Sequence, residues 1–274
     1  MGVQRMLNDI TFGQYFPSDS AIHKMDPRIK FVLLIYTIVF IFLSSNYFGI
    51  LACTVFVLAI MIISKIPLKL YLKNLKAILP IIIFTALINS LYIKEGTVIL
   101  DWWIINITAG GISRAVFMAI RIALLIFISA TLTYTTTPND LNDAIERLCS
   151  PLKFIGLGTV VHMLTMMMTI ALRFIPTLIE ETQKIMNAQK ARGADIESGG
   201  FLSRVKALIP ILIPLIILSV RRAYDLAEAM ESRCYNGGVG KQRMKTLHIA
   251  RRDVIALFIS VLWGAAIILL RIFL

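Results

Sequence analysis

The side chains most able to do chemistry in this chain are two carboxylates, Asp140 and Asp143, in the segment NDLND. Acidic side chains about one helical turn apart can share a divalent cation, so a polytopic membrane enzyme that uses Mg²⁺ is one interpretation. The preceding residues are also typical of a helix start, with Thr137 as the N-cap, Pro138 in the first turn and Asp140 beside the exposed amides. Helix capping explains the carboxylates more simply, and the metal-dependent enzyme is the alternative.

A glycine-rich segment, NGGVGK at residues 236–241, has some likeness to a nucleotide-binding loop. The phosphate-binding loop needs a glycine five residues before its Gly-Lys pair, and that position is Tyr235. The three histidines and three cysteines match no metal-ligand or redox spacing. We therefore predict that this chain binds no cofactor.

Arginine holds the same place in two similar segments, NAQKARG and EAMESRC. A shift of 41 positions puts Arg192 on Arg233 and gives the shared pattern Ala-x-x-(Ala/Ser)-Arg-(Gly/Cys), followed by further glycines. The aligned positions before each arginine form one helical stripe of modest side chains. A guanidinium among small neighbours presents a planar fork of donors that suits carboxylates and backbone carbonyls.

These repeated segments have two interpretations. Arginine favours the C-terminal end of a helix and glycine caps it, so each segment could be an ordinary helix terminus. The matching register over several helical turns favours instead two docking ends for two similar partner surfaces.

The helices that carry these residues belong to an integral membrane protein. Of the 274 residues 58% are hydrophobic and only 16% are charged, with a mean hydropathy of +0.80, whereas about 25% of residues are charged in soluble domains. The net charge of +12 is more typical of basic cytoplasmic segments than of nucleic-acid binding, so no nucleic-acid partner is expected.

Hydrophobic runs predict five transmembrane helices, at residues 31–43, 50–63, 77–93, 112–134 and 254–274. Basic residues are concentrated before the first run and between the second and third, where Lys69, Lys73 and Lys76 share a face suited to anionic lipid headgroups. The N-terminus is therefore expected in the cytoplasm and the C-terminus outside the cell. The runs contain no Asp or Glu, which argues against a self-powered ion-coupled carrier, and Arg121 is a charge in mid-span.

Residues 137–252 combine long helical patterns with scattered charges. We predict one short amphipathic helix after Thr137 and two long helices, at about 157–192 and 202–233, each about 50 Å long. The predicted fold is therefore an all-α integral membrane protein. It has a membrane domain of four transmembrane helices at 1–136, a coupling region of crossed amphipathic helices at 137–252, and a last transmembrane helix at 253–274.

Motifs along almost the whole chain resemble those of the transmembrane T component (EcfT family) of energy-coupling factor (ECF) transporters, the ABC-type importers of vitamins and metal ions. MDPRIK at residues 25–30 resembles the family's entry to the first span, and TPNDLNDAIERLCSPL resembles its Thr-x-Pro…Pro-Leu segment. The segment ALRFIPTLIEETQKIMNAQKARG is similar to the family's Arg-Phe-x-Pro…Ala-Arg-Gly helix. RRAYDLAEAMESRCY is similar to its second such motif, with Cys234 where glycine is usual.

The resemblance implies a non-enzymatic subunit that transmits motion in a cell-membrane complex. It implies that two ABC-type ATPase subunits dock at the helix ends, on Ala191, Arg192, Gly193, Ser232, Arg233 and Cys234. It also implies that the apolar faces of the long helices hold a substrate-binding S component, with contacts expected at Met163, Met166, Met167, Met168, Leu212 and Leu215. The methionine-rich stretch could equally be internal packing or an adaptable contact surface.

Overall fold

The computed structural model describes residues 15–92, 98–102, 105–151, 156, 158–194, 200–236 and 248–273. The helices in these ranges are α1 (Pro27–Leu43), α2 (Tyr47–Ser64), α3 (Leu68–Tyr92), α4 (Ala109–Thr135), α5 (Pro138–Leu148), α6 (Gly158–Ala191), α7 (Phe201–Glu231) and α8 (Arg251–Phe273). Between α3 and α4, strands β1 (Val98–Trp102) and β2 (Ile105–Thr108) pair as a short antiparallel hairpin.

The predicted class, an all-α integral membrane protein, is confirmed. Among the described helices six are long and apolar enough to cross a bilayer, namely α2, α3, α4, α6, α7 and α8. The predicted spans correspond to α1–α4 and α8, although α1 has 17 residues, fewer than the about 20 that a crossing needs. The length and composition of α6 and α7 would also permit a crossing, and their depth in the bilayer was left open by the sequence.

All five predicted spans begin later than the helices that contain them, by three to nine residues. The largest difference is at α3, which begins at Leu68, so the three lysines before the predicted span lie within the helix, consistent with the helical face predicted for them. Helix α2 begins at Tyr47, which leaves only residues 44–46 in the turn after α1. These differences arise because hydropathy locates the apolar centre of a membrane helix, whereas the helix itself continues into flanking residues such as the lysines of α3.

The chain forms two compact units, with the boundary inside α5. The membrane unit contains α1–α4 and α8, and the coupling unit contains α6 and α7. In the membrane unit α4 packs against α1, α2 and α3, while α8 packs against α1 and α2. Its core includes Tyr71, whose hydroxyl lies 2.9 Å from the hydroxyl of Thr131 and 3.3 Å from that of Ser64, so three helices share one buried polar contact.

Buried carboxylates join the starts of α1 and α8. Asp26, the N-cap of α1, accepts hydrogen bonds from the backbone N–H of Arg28 at 2.9 Å and from its Nη2 at 2.8 Å. The backbone N–H of Asp26 donates to Oδ1 of Asp253 at 3.1 Å, and that of Ala250 donates to Oδ2 at 2.8 Å. Burial raises the pKa of the Asp26 carboxyl, but the hydrogen bonds from Arg28 outweigh burial and leave that pKa below its usual value. The carboxylate is therefore ionised at neutral pH.

Lys30 connects this junction to the end of α4. Its Nζ donates to the carbonyl of Thr135 at 2.9 Å and to that of His23 at 3.2 Å. Nearby, the backbone N–H of Phe16 donates to the carbonyl of Tyr134 at 2.9 Å. The starts of α1 and α8 and the end of α4 thus lie on one side of the membrane unit.

Arg121, the mid-span charge of α4, has a polar partner inside the membrane unit. Its Nη2 donates to the carbonyl of Ser44, the C-cap of α1, and its guanidinium carbon lies 4.8 Å from the ring centroid of Phe117. A cation at the C-terminal end of a helix is favoured by the helix dipole. Arg121 therefore fastens the turn between α1 and α2.

In the coupling unit, α6 and α7 pack side by side in opposite directions. Glu181 on α6 accepts a hydrogen bond from Nη2 of Arg222 on α7 at 3.1 Å. Closer to the end of α6, Nε2 of Gln189 donates to the carbonyl of Pro210 at 3.4 Å. Residue numbers therefore rise along α6 as they fall along α7, which is an antiparallel arrangement.

Candidate docking sites on the coupling unit

Helix α6 ends in a Schellman turn. The backbone N–H of Gly193 donates to the carbonyl of Lys190 at 3.0 Å, and the N–H of Ala194 donates to the carbonyl of Gln189 at 3.0 Å. Gly193 has φ +86°, a left-handed conformation in which glycine meets no Cβ penalty. Arg192 immediately precedes this residue and is exposed.

Helix α7 ends in the same turn. The backbone N–H of Cys234 donates to the carbonyl of Glu231 at 2.9 Å, and the N–H of Tyr235 donates to the carbonyl of Met230 at 3.0 Å. Cys234 has φ +53°, which costs a residue with a Cβ roughly 1–2 kcal/mol. The cysteine therefore preserves the turn at some cost, and Arg233 before it is exposed.

The two ends are equivalent in geometry as well as in sequence. The two turn-closing hydrogen bonds of the first end recur 41 positions later in the second. A Schellman turn alone is common, but here both turns also carry an exposed arginine that follows a small exposed residue, Ala191 or Ser232. Each end therefore presents a guanidinium that a partner surface can approach closely.

The ion pair between the helices marks the centre of this repeat. Glu181 and Arg222 are 41 positions apart, so they are equivalent positions of the repeat. Equivalent positions contact each other at a local twofold axis, which indicates that such an axis relates α6 to α7 at this ion pair. Arg192 and Arg233 each lie 11 residues beyond that contact. At 1.5 Å per residue the two arginines lie up to about 33 Å apart, at opposite ends of the helix pair.

A contact at the start of α6 supports the second arginine. The hydroxyl of Tyr235 donates to Sδ of Met166 at 2.7 Å. Because Tyr235 belongs to the turn that ends α7, this contact holds the segment carrying Arg233 against α6.

The residues expected to contact an S component lie mainly on exposed apolar faces. Met163, Met167 and Met168 are 50%, 62% and 50% exposed, and Leu212 on α7 is 49% exposed. Met166 and Leu215 are half-buried. The methionine-rich stretch thus presents three thioether side chains to its surroundings, and Met166 contacts the hydroxyl of Tyr235.

Of the two carboxylates at the start of α5, Asp140 takes part in the helix cap. The backbone N–H of Asp140 donates to Oγ1 of Thr137 at 3.2 Å, and the Thr137 hydroxyl donates to Oδ2 of Asp140 at 2.9 Å. Within the described ranges, no three His, Cys, Asp or Glu side chains are grouped so as to hold a metal ion. Most of the glycine-rich segment weighed as a phosphate loop, residues 237–241, lies outside the described residues.

Two of the polar contacts that the sequence did not predict differ in how far a sequence pattern could have revealed them. Glu181–Arg222 could have been found, because the 41-residue shift places an acidic residue opposite a basic one there. Asp253 immediately precedes the apolar run of the last predicted span and is fully buried. No pattern in the sequence indicates its contact with Asp26.

Gly193→Ala is expected to loosen the end of α6, because alanine in the left-handed region costs roughly 1–2 kcal/mol. Gly200→Ala is a matched control. Neither glycine has an atom within 4 Å of an added Cβ, but Gly200 has φ −71°, which alanine adopts freely. Hydrogen–deuterium exchange should be about tenfold faster at the end of α6 in the first variant. The second variant should change exchange less, at the start of α7 only, because Gly200 is the N-cap of α7 and alanine is a poorer N-cap than glycine. Equal behaviour of the two variants would contradict the left-handed turn.

Comparison with known proteins identifies the family. The model of the CbiQ family, described as a cobalt transport protein, matches residues 18–246. The energy-coupling factor transporter transmembrane protein EcfT of Ruminiclostridium cellulolyticum is 51% identical over 97% of this chain and 98% of its own length. Proteins of the same name from Clostridium kluyveri and Thermosediminibacter oceani are 46% and 43% identical over 92% and 97% of this chain and 93% and 99% of their own. With this identity over nearly its whole length, the chain belongs to the EcfT family of transmembrane components of energy-coupling factor transporters.

Proposed function

We propose that this chain couples ATP hydrolysis in two ABC-type ATPase subunits to the reorientation of a membrane-embedded S component that carries a vitamin or another micronutrient. The chain itself supplies no catalytic group, and ATP and Mg²⁺ bind in the ATPase subunits. The observation that carries the proposal is the pair of equivalent, exposed arginines at opposite ends of one antiparallel helix pair.

The docking step uses the chemistry of the guanidinium group. Arg192 and Arg233 would each enter a groove of one ATPase subunit and donate to carboxylates or carbonyls there. The small residue before each arginine lets the groove wall approach the helix. Two ends related by a local twofold axis suit two similar ATPase subunits, since each subunit then meets the same surface.

The transmission step needs a stiff connection between the two ends. When ATP closes the ATPase pair, the two grooves approach each other and change the relative position of the helix ends. The Glu181–Arg222 ion pair and the Tyr235–Met166 contact join α6 to α7 near the middle and near one end of the pair. The helices therefore move as a linked pair, and a partner with different contacts in the two states would be reoriented.

The S component would lie on the exposed apolar faces that include Met163, Met167, Met168 and Leu212. Methionine side chains are flexible and polarizable, so one surface can accept partners of different shape. In this proposal cargo recognition belongs to the S component and force transmission to this chain.

The orientation we propose has the N-terminus and the coupling unit at the cytoplasmic side and the C-terminus outside. Lys69, Lys73 and Lys76 on α3 are exposed, as lysines that meet anionic headgroups of the cytoplasmic leaflet should be.

Copurification tests the proposal. The full chain, isolated from its native membrane in mild detergent, is expected to carry two ATPase subunits and one S component per copy, as measured by the native mass of the complex. Recovery of a solitary chain with Mg²⁺-dependent activity would contradict the proposal and support the enzyme alternative based on Asp140 and Asp143. An unrelated multi-pass protein isolated in the same way controls for non-specific recovery.

A further inference from the structure

The membrane unit contains a cavity of about 390 Å³ between α1, α2, α4 and α8. Each helix contributes lining residues three or four positions apart, so one face of each helix borders the cavity. At one end lie Lys30 and Arg252 in the first turns of α1 and α8. The α1 lining extends to Thr37, which is about 10 Å deeper along the helix.

The deeper part of the cavity is apolar in effect. Most of its lining is aliphatic or aromatic. Thr37, Thr131, Thr135 and Ser260 also line it, but each hydroxyl donates to a carbonyl of its own helix, at 2.8, 2.8, 3.4 and 2.7 Å respectively. Because each hydroxyl donor is already hydrogen-bonded within its own helix, it needs no polar partner from a ligand. A hydrocarbon chain can therefore occupy this space without leaving an unsatisfied donor.

The mouth of the cavity is positive. Lys30 and Arg252 line it. The carboxylates of Asp140, Asp253 and Asp26 also act on Lys30, but none of them lines the cavity. Asp26 is paired with Arg28 at 2.8 Å, and both oxygens of Asp253 accept backbone N–H groups. The Lys30 ammonium has three donors and uses two on protein carbonyls.

The cavity opens onto the outer apolar surface. Ile63 on α2 and Ile255 and Ile259 on α8 line it and remain 51%, 58% and 52% exposed. In a chain that spans a membrane this surface faces hydrocarbon, so a lipid can enter between α2 and α8 without crossing water.

We propose that this cavity binds one anionic phospholipid, with an acyl chain in the apolar interior and the phosphate between Lys30 and Arg252. Two cations next to a hydrocarbon-lined space match a charged headgroup followed by a chain. A bound lipid would connect the starts of α1 and α8 on the side of the unit where α4 ends.

Native mass spectrometry of the full chain in detergent tests this site. The probes are phosphatidylglycerol and phosphatidylcholine with identical acyl chains, and one bound phosphatidylglycerol is expected in preference to phosphatidylcholine. Arg252→Gln should weaken phosphatidylglycerol binding about fivefold. Arg251→Gln is the matched control, because Arg251 is adjacent and exposed but does not line the cavity, and it should bind phosphatidylglycerol as the wild type does.

A second variant tests the interior. Ala256→Leu adds bulk to the lining and should reduce binding of both lipids with an unchanged unfolding temperature. If this variant does not fold, Ala59→Leu fills the same cavity from a more exposed position. Equal retention of the two lipids, equal effects of the two arginine variants, or full binding by a folded cavity-filling variant would each overturn the proposal.

Discussion

Replacing both Arg192 and Arg233 by alanine is expected to abolish ATPase association and cargo uptake, whereas either single replacement should leave a measurable remainder. Removing one partner of a buried ion pair costs about 3–5 kcal/mol, which corresponds to at least about a hundredfold in affinity. A complex held at two ends keeps one attachment in a single variant and loses both in the double variant. The double variant should therefore lose much more ATPase association than either single variant does.

This prediction is measured by the amount of ATPase recovered per chain and by uptake into membrane vesicles. Arg221→Ala is the control, since Arg221 is an exposed arginine in the body of α7 and lies away from both turns. Arg192→Lys separates charge from shape, because lysine keeps the charge but lacks the planar fork of donors. Normal assembly and uptake by the double variant would eliminate both arginines as docking groups.

The ends of the long helices were predictable because their signals are local. The pattern placed the first long helix at about 157–192, and the structure has α6 at Gly158–Ala191. Glycine after the last helical residues ends a helix by adopting the left-handed conformation, which depends only on the local backbone. The start of α5 was predictable for the same reason. The Thr137 hydroxyl accepts from a backbone N–H only a few residues later and Pro138 is favoured in the first turn, so no distant residue is involved.

The contacts between helices were not predictable in the same way. Periodicity tells which face of a helix is apolar but not which helix covers that face. Asp253 illustrates this. A carboxylate next to an apolar run is expected at the membrane–water interface, but Asp253 is buried because it accepts from the backbone N–H of Asp26, which is far away in the sequence. Arg121 could be predicted to need a polar partner, but only the fold brings the Ser44 carbonyl to it.

Asp253→Ala is expected to destabilise the membrane unit strongly. The substitution leaves the backbone N–H groups of Asp26 and Ala250 without their acceptors, and a buried unsatisfied donor costs roughly 1–3 kcal/mol for each group. Asp253→Asn should be intermediate, because an amide has one acceptor oxygen where the carboxylate has two. The unfolding temperature in detergent gives the order wild type, asparagine variant, alanine variant.

The thiol of Cys53 provides a specific probe of this loss. Cys53 is fully buried in the core of the membrane unit, so a thiol reagent reaches it only when that core opens. With Cys149 and Cys234 replaced by serine, the modification rate of Cys53 should rise in Asp253→Ala. Asp19→Ala is the matched control, since the Asp19 side chain is 91% exposed and pairs with the exposed Lys24 at 3.0 Å, an arrangement that contributes little to stability. If both variants protect Cys53 as well as the wild type does, the buried junction between α1 and α8 does not hold the membrane unit together.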